Sequence, residues 1–185
     1  MPHSYNGRVK SGGNIYLVGM MGAGKTTVGK LLARRLKRRF VDSDYEIERR
    51  CGVRIPVIFD IEGESGFRGR EAQAIAELTA LDGVVLATGG GAVLSAANRR
   101  YLTSRGTTVY LHARPEDLCW RLRHDKNRPL LDTSDPLRRL QELYAERDPV
   151  YRQVADIVIE SGTQSIQALA RELLIKIEQR WKVSA

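Results

Sequence analysis

The most specific chemical pattern in the chain spans residues 19–26, Gly-Met-Met-Gly-Ala-Gly-Lys-Thr, which matches G-x-x-x-x-G-K-[ST] at every fixed position. Its glycines let the backbone turn so that successive N–H groups face one anion, and the helix expected after them adds its positive end. Lys25 would reach the outer phosphates of a nucleotide, and Thr26 would hold Mg²⁺. The residues expected to contact the nucleotide are Gly22, Ala23, Gly24, Lys25, Thr26 and Thr27. The pattern therefore predicts an ATP or GTP site, with a glycine-rich turn of no special use as the alternative.

The loop alone leaves the reaction open, because motors, GTPases, helicases and small-molecule kinases all share it. The guanine-reading pattern N-K-x-D is absent from the sequence, and residues 126–127 have the reverse order, Lys-Asn. A chain of 185 residues is also hardly long enough for a second, regulatory or DNA-tracking domain. These observations favour a small ATP-dependent kinase.

Two carboxylates, Asp42 and Asp44, follow the second apolar run of the chain with one serine between them. Side chains at i and i+2 on the end of a strand point the same way. One of them could then serve Mg²⁺ and the other a substrate hydroxyl. The alternative is that Asp42 is the N-cap of a helix, a common role for aspartate.

Two arginines are candidates for binding an anionic substrate. Arg68 could instead form ion pairs with Glu64 or Glu71 on its own helix, at i−4 and i+3. Arg147 lies on an apolar helical stripe, where a charged side chain needs a partner or an exit to water. From the residues alone, substrate contact and structural ion pairing both remain open.

Two further segments are expected to close around a ligand. Gly89, Gly90 and Gly91 would let the backbone approach a substrate closely, although they could form an ordinary strand-to-helix turn. Residues 121–135 are polar and basic and are predicted to form a mobile lid. Its closure would carry Arg128 onto the ATP phosphates and exclude water from the transfer, whereas a disordered basic loop is the alternative.

Short β-rich runs alternate with helical periods along the chain, which predicts an α/β fold with a five-stranded parallel sheet flanked by helices. The predicted strands are residues 15–19, 39–42, 84–87, 107–111 and 157–159. The predicted helices are residues 25–37, 44–51, 66–81, 95–104 with Ser95 as the cap, one from Pro115, and 166–181. Because parallel sheets bind ligands at the carboxyl ends of their strands, the candidate residues should meet at that edge.

Composition places the chain among globular proteins, and it has no run of 18 apolar residues that would predict a membrane span. Residues 1–13 lack the apolar region of a secretory signal and are expected to form a flexible extension before a domain at residues 14–185. Only two cysteines are present, which fits a reducing cytoplasm. We predict a cytoplasmic protein, monomeric and without membrane partners.

The net charge of +8 suggests either anionic small molecules or nucleic acid as partners. A basic run at residues 34–39 falls on a predicted helix whose apolar positions follow helical spacing, so most of the run should face water. We therefore predict no nucleic-acid partner.

Several segments in order along the chain resemble those of the shikimate kinase family. They are DSDYEIE at 42–48, IF at 58–59, GE at 63–64, FR at 67–68, TGGGA at 88–92, RPLL at 128–131 and RDPVY at 147–151. Val150 replaces the usual leucine of the last segment, a change that should alter packing only. The resemblance runs from about residue 15 to residue 177.

The resemblance implies a three-layer P-loop kinase fold like that of nucleoside-monophosphate kinases, with ATP, Mg²⁺ and γ-phosphoryl transfer to the 3-hydroxyl of shikimate. It implies that Arg68 and Arg147 bind the substrate carboxylate, that Asp44 contacts a hydroxyl and that Gly90 donates an N–H. It gives Lys25, Asp44 and Arg128 catalytic roles. It also implies that Asp42 holds the metal through water and that Gln164 lies near adenine. The alternatives are a gluconate or nucleotide kinase of the same fold and a nucleotide-gated nucleic-acid-binding protein.

Overall fold

The computed structural model describes residues 13–125, 128–162 and 164–183. Five strands form one parallel sheet: β1 (Asn14–Val18), β2 (Arg39–Asp42), β3 (Val84–Ala87), β4 (Gly106–His112) and β5 (Ile157–Glu160). Their order across the sheet is β2-β3-β1-β4-β5. The predicted five-stranded parallel sheet is therefore confirmed, with strand bounds within a residue or two of those expected. All but one residue of the expected extension at 1–13 lies outside the described residues.

Seven helices cover the sheet in the described part of the chain. They are α1 (Lys25–Leu36), α2 (Ser43–Cys51), α3 (Ile55–Leu78), α4 (Ala96–Ser104), α5 (Pro115–Leu122), α6 (Pro136–Val154) and α7 (Ile166–Val183). Every residue of β1 and β3 is buried, as expected for strands covered on both faces. None of these helices is long and apolar enough to cross a membrane.

Local chemistry explains where several helices begin. The side chain of Ser95 accepts a hydrogen bond from the N–H of Asn98, which confirms it as the cap of α4. Prolines occupy the start of α5 and α6, where a missing N–H has no consequence. Asp135 adds a side-chain cap to α6 by accepting from the N–H of Arg138 at 3.0 Å.

The prediction for α3 was incomplete. The apolar period indicated a helix over residues 66–81, whereas α3 begins at Ile55 and ends at Leu78. Gly63 interrupts it with φ 68° and ψ −178°, so that two helical segments meet at a kink. The stretch at 55–61 is rich in β-branched and aromatic residues, and the change of direction at Gly63 breaks a single helical period.

The carboxyl ends of the strands bring the candidate residues to one edge of the sheet. The phosphate loop follows β1, Asp42 ends β2, and the three glycines follow β3. The pairing of Asp42 with Ala87 places the ends of β2 and β3 side by side. Helix α6 brings Arg147 from a distant part of the chain to the same edge, where its nitrogen approaches Gly90.

Candidate active site

The phosphate loop has the backbone that its glycines permit. Gly22 and Gly24 have φ of 79° and 95°, values that side chains with a β-carbon rarely adopt. Gly24 caps α1, whose first residue is Lys25. Lys25 is buried, and its Nζ donates to the carbonyl oxygens of Gly19 and Met20 at 2.8 Å each. Burial lowers the pKa of Lys25 to about 8, with Asp44 opposing that shift.

Asp42 serves two neighbours with its two oxygens. Oδ2 accepts from the Thr26 hydroxyl at 2.7 Å, while Oδ1 accepts from the N–H groups of Asp44 and Tyr45 at 3.0 and 3.3 Å. Asp42 is therefore an N-cap as well as a neighbour of the phosphate loop. The prediction that both aspartates lie on a strand end was wrong for Asp44, because the cap starts α2 at Ser43.

The pair of Thr26 and Asp42 fits a magnesium ion that binds with a nucleotide. Both supply hard oxygen donors at the edge of the phosphate cleft, and Mg²⁺ prefers one or two such groups with water and substrate phosphates. Within the described residues no cluster of three or more His, Cys, Asp or Glu side chains could hold a metal by itself. The donor set thus suits a metal shared with phosphates.

Two clefts meet at this edge of the sheet. The phosphate cleft is lined by the loop residues, including Gly22, Gly24, Lys25, Thr26 and Thr27. The second, which we call the acceptor cleft, lies beside it. Its polar lining consists of Asp44, Arg68, Glu71, Gly89, Gly90, Gly91, Arg128 and Arg147. The clefts share Met21, Asp44, Gly90 and Arg128, which therefore mark where two substrates would meet.

Asp44 lies at that junction in the first turn of α2. Its Oδ1 is shielded from solvent and has no hydrogen-bond partner among the described residues. Burial, together with the charges of Asp42 and Glu71, raises the pKa of Asp44 to about 6. A buried carboxylate oxygen without a partner is suited to accept a hydrogen bond from a substrate.

Arg147 lies at the far side of the acceptor cleft and is only 2% exposed. It shares the buried face of α6 with Leu140 and Leu143, as the helical stripe predicted. Its Nε and Nη1 have no hydrogen-bond partner within the described part of the chain. Because an unpaired buried charge is costly, this guanidinium points to an anionic ligand.

Arg68 forms both of the ion pairs that its helix allows. Its Nη1 donates to Glu71 at 2.7 Å, and its Nη2 donates to Glu64 at 2.8 Å. Glu71, which the motif search did not single out, is buried, and this burial raises its pKa. Its Oε1 has no hydrogen-bond partner among the described residues. The spacing at i+3 from Arg68 is the only sequence signal for this role.

The three glycines provide space that larger residues would fill. A β-carbon on Gly89 would lie 2.5 Å from Glu71 Oε1 and 2.7 Å from Asp44 Oδ1. One on Gly91 would overlap the guanidinium of Arg68. Gly90 has room by comparison, since its nearest neighbour, the N of Met21, would be 3.5 Å away. Gly89 and Gly91 are therefore required by the charged side chains that surround them.

The expected lid is described in part. Residues 126–127 lie outside the described residues, and Pro129–Leu131 form a short 3-10 helix. Arg128 lines both clefts and donates through Nε to Asp125 at 3.0 Å. Both the contact of Arg128 to phosphates and the closing motion stay predictions.

Gln164 lies outside the phosphate cleft. It lines a neighbouring cleft with Arg114 and Gly162, and its Nε2 donates to the carbonyl of Glu160 at 3.1 Å. Sequence reasoning missed Arg121, which lines the phosphate cleft and donates to the carbonyls of Gly22 and Gly162 at 3.2 and 2.8 Å. Arg121 therefore connects the phosphate cleft with the cleft that Gln164 lines. No local pattern distinguishes Arg121 from the other basic residues of its segment.

Comparison with known proteins identifies the family. A model described as shikimate kinase matches residues 21–178. A shikimate kinase of Thiobacillus denitrificans is 59% identical over 165 residues, which cover 89% of this chain and 90% of that protein. The solved structure of a shikimate kinase from Acinetobacter baumannii in complex with shikimate is 50% identical, with a TM-score of 0.89, over 91% of this chain and 94% of that one.

The fold alone extends to other kinases. A gluconokinase from Sinorhizobium meliloti has a TM-score of 0.58 over 92% of this chain and 94% of its own, but only 16% sequence identity. That likeness shows a common architecture and does not bear on the acceptor. By contrast, the family model covers most of the chain and the curated relative matches over nearly its full length. The chain belongs to the shikimate kinase family.

Proposed function

We propose that this protein transfers the γ-phosphoryl group of ATP to the 3-hydroxyl of shikimate, giving shikimate 3-phosphate and ADP in aromatic amino acid biosynthesis. The observation that supports this most is the buried guanidinium of Arg147, whose Nε and Nη1 have no hydrogen-bond partner among the described residues, in a cleft that shares Asp44 with the phosphate cleft. An acceptor there would place a carboxylate at one end and a hydroxyl at the other. The Acinetobacter baumannii relative was solved with shikimate bound, which supports this choice of acceptor.

The carboxylate of the acceptor would bind to Arg147 and Arg68. A guanidinium gives a carboxylate paired, charge-assisted hydrogen bonds, and Arg147 has Nε and Nη1 to offer. The main-chain N–H of Gly90 would add a donor close to the ring. Phe59, Phe67 and Leu130 provide an apolar wall against which a ring of carbons can pack.

The phosphates of ATP would lie on the loop between β1 and α1. Lys25 would leave the carbonyls of Gly19 and Met20 for the outer phosphates, and Arg128 would approach from the other side. These two cations would offset charge on the transferred group, which is the main requirement of phosphoryl transfer.

A magnesium ion would be held by Thr26 directly and by Asp42 through water, since both offer oxygen donors at the cleft edge. When bound, it neutralises negative charge on the β- and γ-phosphates. The Asp42 side chain also fixes the start of α2 by accepting a hydrogen bond from the N–H of Asp44. The same carboxylate would therefore hold the metal and position Asp44.

Asp44 would orient the attacking hydroxyl and take its proton. The bond from that oxygen to the γ-phosphorus forms while the bond from the γ-phosphorus to the bridging oxygen of ADP breaks. With a pKa of about 6, Asp44 is ionised at neutral pH yet basic enough to accept a proton. Exclusion of water from the two clefts would prevent hydrolysis in place of transfer.

The identity of the product tests this proposal. We expect ³¹P and ¹H NMR of a reaction with ATP and shikimate to show one new phosphate ester, on the 3-hydroxyl, formed in step with ADP. Phosphorylation of another hydroxyl would contradict the assigned orientation. Formation of ADP without any phosphorylated shikimate would contradict the function, as would salt-sensitive binding of nucleic acid in the absence of kinase activity.

A further inference from the structure

Tyr151 lies where the glycine loop after β3 meets the phosphate loop after β1. Its side chain is fully buried on α6, one helical turn after Arg147 and on the same face. Its hydroxyl donates to the carbonyl oxygen of Gly90 at 2.5 Å and lies 3.9 Å from the sulfur of Met20. Tyr151 therefore contacts the glycine loop after β3 and the phosphate loop after β1 with one atom.

The two loops are in contact at this point. A β-carbon on Gly90 would lie 3.5 Å from the N of Met21 and 3.6 Å from the carbonyl oxygen of Gly19. A displacement of Gly90 towards Met21 would therefore displace the phosphate loop as well. Because the peptide bond is planar, a hydrogen bond to the Gly90 carbonyl also fixes the direction of the next N–H group, that of Gly91.

The ring of Tyr151 is itself held in place. It stacks on Tyr110 with ring centroids 4.9 Å apart and an interplanar angle of 30°. Tyr110 in turn donates its hydroxyl to Asp148 at 2.8 Å. The two tyrosines thus form a stacked pair in which each donates one hydrogen bond, but only the Tyr151 hydroxyl contacts the reaction site.

We propose that Tyr151 is a positioning residue for the transfer step. Its hydroxyl holds the glycine loop after β3 and the phosphate loop after β1 at the separation that in-line transfer needs. Tyr151 lines neither of the two clefts, so it would act through the loops rather than on a substrate. The proposal rests on the function proposed above, because it concerns the distance between a bound hydroxyl and a bound γ-phosphoryl group. A misplacement of about 1 Å can reduce the rate of such a step about 100-fold.

The test compares Tyr151→Phe with the matched control Tyr110→Phe. Each variant loses one hydroxyl from the same stacked pair and keeps its ring, so both should fold and show similar, small losses in unfolding temperature. For Tyr151→Phe we expect kcat, and the single-turnover rate, to fall about 10- to 100-fold, with KM for shikimate and for ATP within about 3-fold of the original. Tyr110→Phe should keep kcat within about 2-fold.

Equal kcat values for the two variants would overturn the proposal, and so would an effect of Tyr151→Phe confined to KM for shikimate. If Tyr151→Phe does not fold, Tyr151→Met with the same single-turnover measurement decides in the same way. Lack of shikimate turnover by the unmodified protein would instead overturn the proposed function, so the two failures are distinguishable.

Discussion

At the scale of single residues, polar atoms without partners are the most informative feature of the site. Asp44 Oδ1, Glu71 Oε1 and two nitrogens of Arg147 are all shielded from solvent and lack hydrogen bonds among the described residues. Buried polar groups in folded proteins nearly always have partners, so a cluster of exceptions in one cleft indicates a ligand that supplies them. The ligand must accept hydrogen bonds at one end and donate them at the other.

Removal of the Arg147 guanidinium tests this interpretation. We expect Arg147→Met to reduce kcat/KM for shikimate by about 30-fold or more, since loss of one partner from a buried charged pair costs about 2–5 kcal/mol. Titration with ADP should show nearly unchanged binding. The unfolding temperature of the ligand-free variant should fall little, because Nε and Nη1 of Arg147 have no hydrogen bonds to lose. Turnover close to that of the original protein would refute the assignment of Arg147.

The pKa values of Asp44 and Lys25 predict the pH dependence of kcat/KM, which reports on the free enzyme. Below a pH of about 6 Asp44 takes up a proton and can no longer accept one from the substrate hydroxyl, so kcat/KM should fall towards acid. Above a pH of about 8 Lys25 loses its charge and attracts phosphates less, so kcat/KM should fall towards alkali. A steady-state series from pH 5 to pH 9.5 should give a bell-shaped profile. A flat acid limb would show that Asp44 does not need to be ionised.

At the scale of elements, the glycine loop after β3 and helix α3 fit together because no side chain separates them. The guanidinium of Arg68 on α3 occupies the space that a β-carbon of Gly91 would need. The break at Gly63 lies between the two segments of α3, and the second segment carries both Arg68 and Glu71. The loop and the helix therefore act together on the acceptor side of the site.

A methyl group on the glycine loop should impair acceptor binding alone. We expect Gly91→Ala to raise KM for shikimate about 10-fold or more, because displacement of Arg68 weakens a charge-assisted contact worth about 1.5–3 kcal/mol. KM for ATP should change little. Gly69→Ala is the matched control: nothing lies within 4 Å of its new β-carbon, and alanine should stabilise α3 by about 0.5–1 kcal/mol. Equal behaviour of the two variants in steady-state kinetics would contradict this role of Gly91.

The elements also show what the sequence could and could not predict. The phosphate loop, the five strands and the cap by Ser95 depend on neighbours in the chain, so local patterns predicted them. The kink at Gly63 and the burial of Glu71 depend on packing between elements, which no local pattern encodes. Arg121 was missed for the same reason, since its hydrogen bonds reach across the fold to Gly22 and Gly162.

Asp44 shows a different limit of the sequence. Its role as a candidate was predicted, but the strand-end geometry assumed for it was wrong, because Asp42 caps α2 and the helix begins at Ser43, one residue before the predicted start. The residue type predicts a hydrogen-bond acceptor, while the local geometry depends on whether Asp42 forms a helix cap. Asp42 does cap α2 through Oδ1 and its Oδ2 accepts from Thr26, while its role towards Mg²⁺ stays a prediction.

At the scale of the whole molecule, helix α1 runs from the reaction site to an exposed basic surface at its far end. Exposed cations of α1 include Arg34 and Arg35 in its last turn, about 15 Å along the helix axis from Lys25 at a rise of about 1.5 Å per residue. The cations of the site are instead buried or half-buried and lie at the carboxyl edge of the sheet. Of these two groups of cations, the second adjoins the clefts that we assign to ATP and the acceptor.

The choice of acceptor is the central claim, and a comparison of acceptors under identical conditions tests it most directly. The measurement is kcat/KM for ADP formation with saturating ATP, with shikimate and with D-gluconate, a carboxylated polyol without a ring. We expect shikimate to be preferred by about 100-fold or more, because a site that pairs its buried polar groups with one substrate rejects analogues that leave them unpaired. Comparable values for the two acid acceptors, or the absence of turnover with shikimate, would contradict the account.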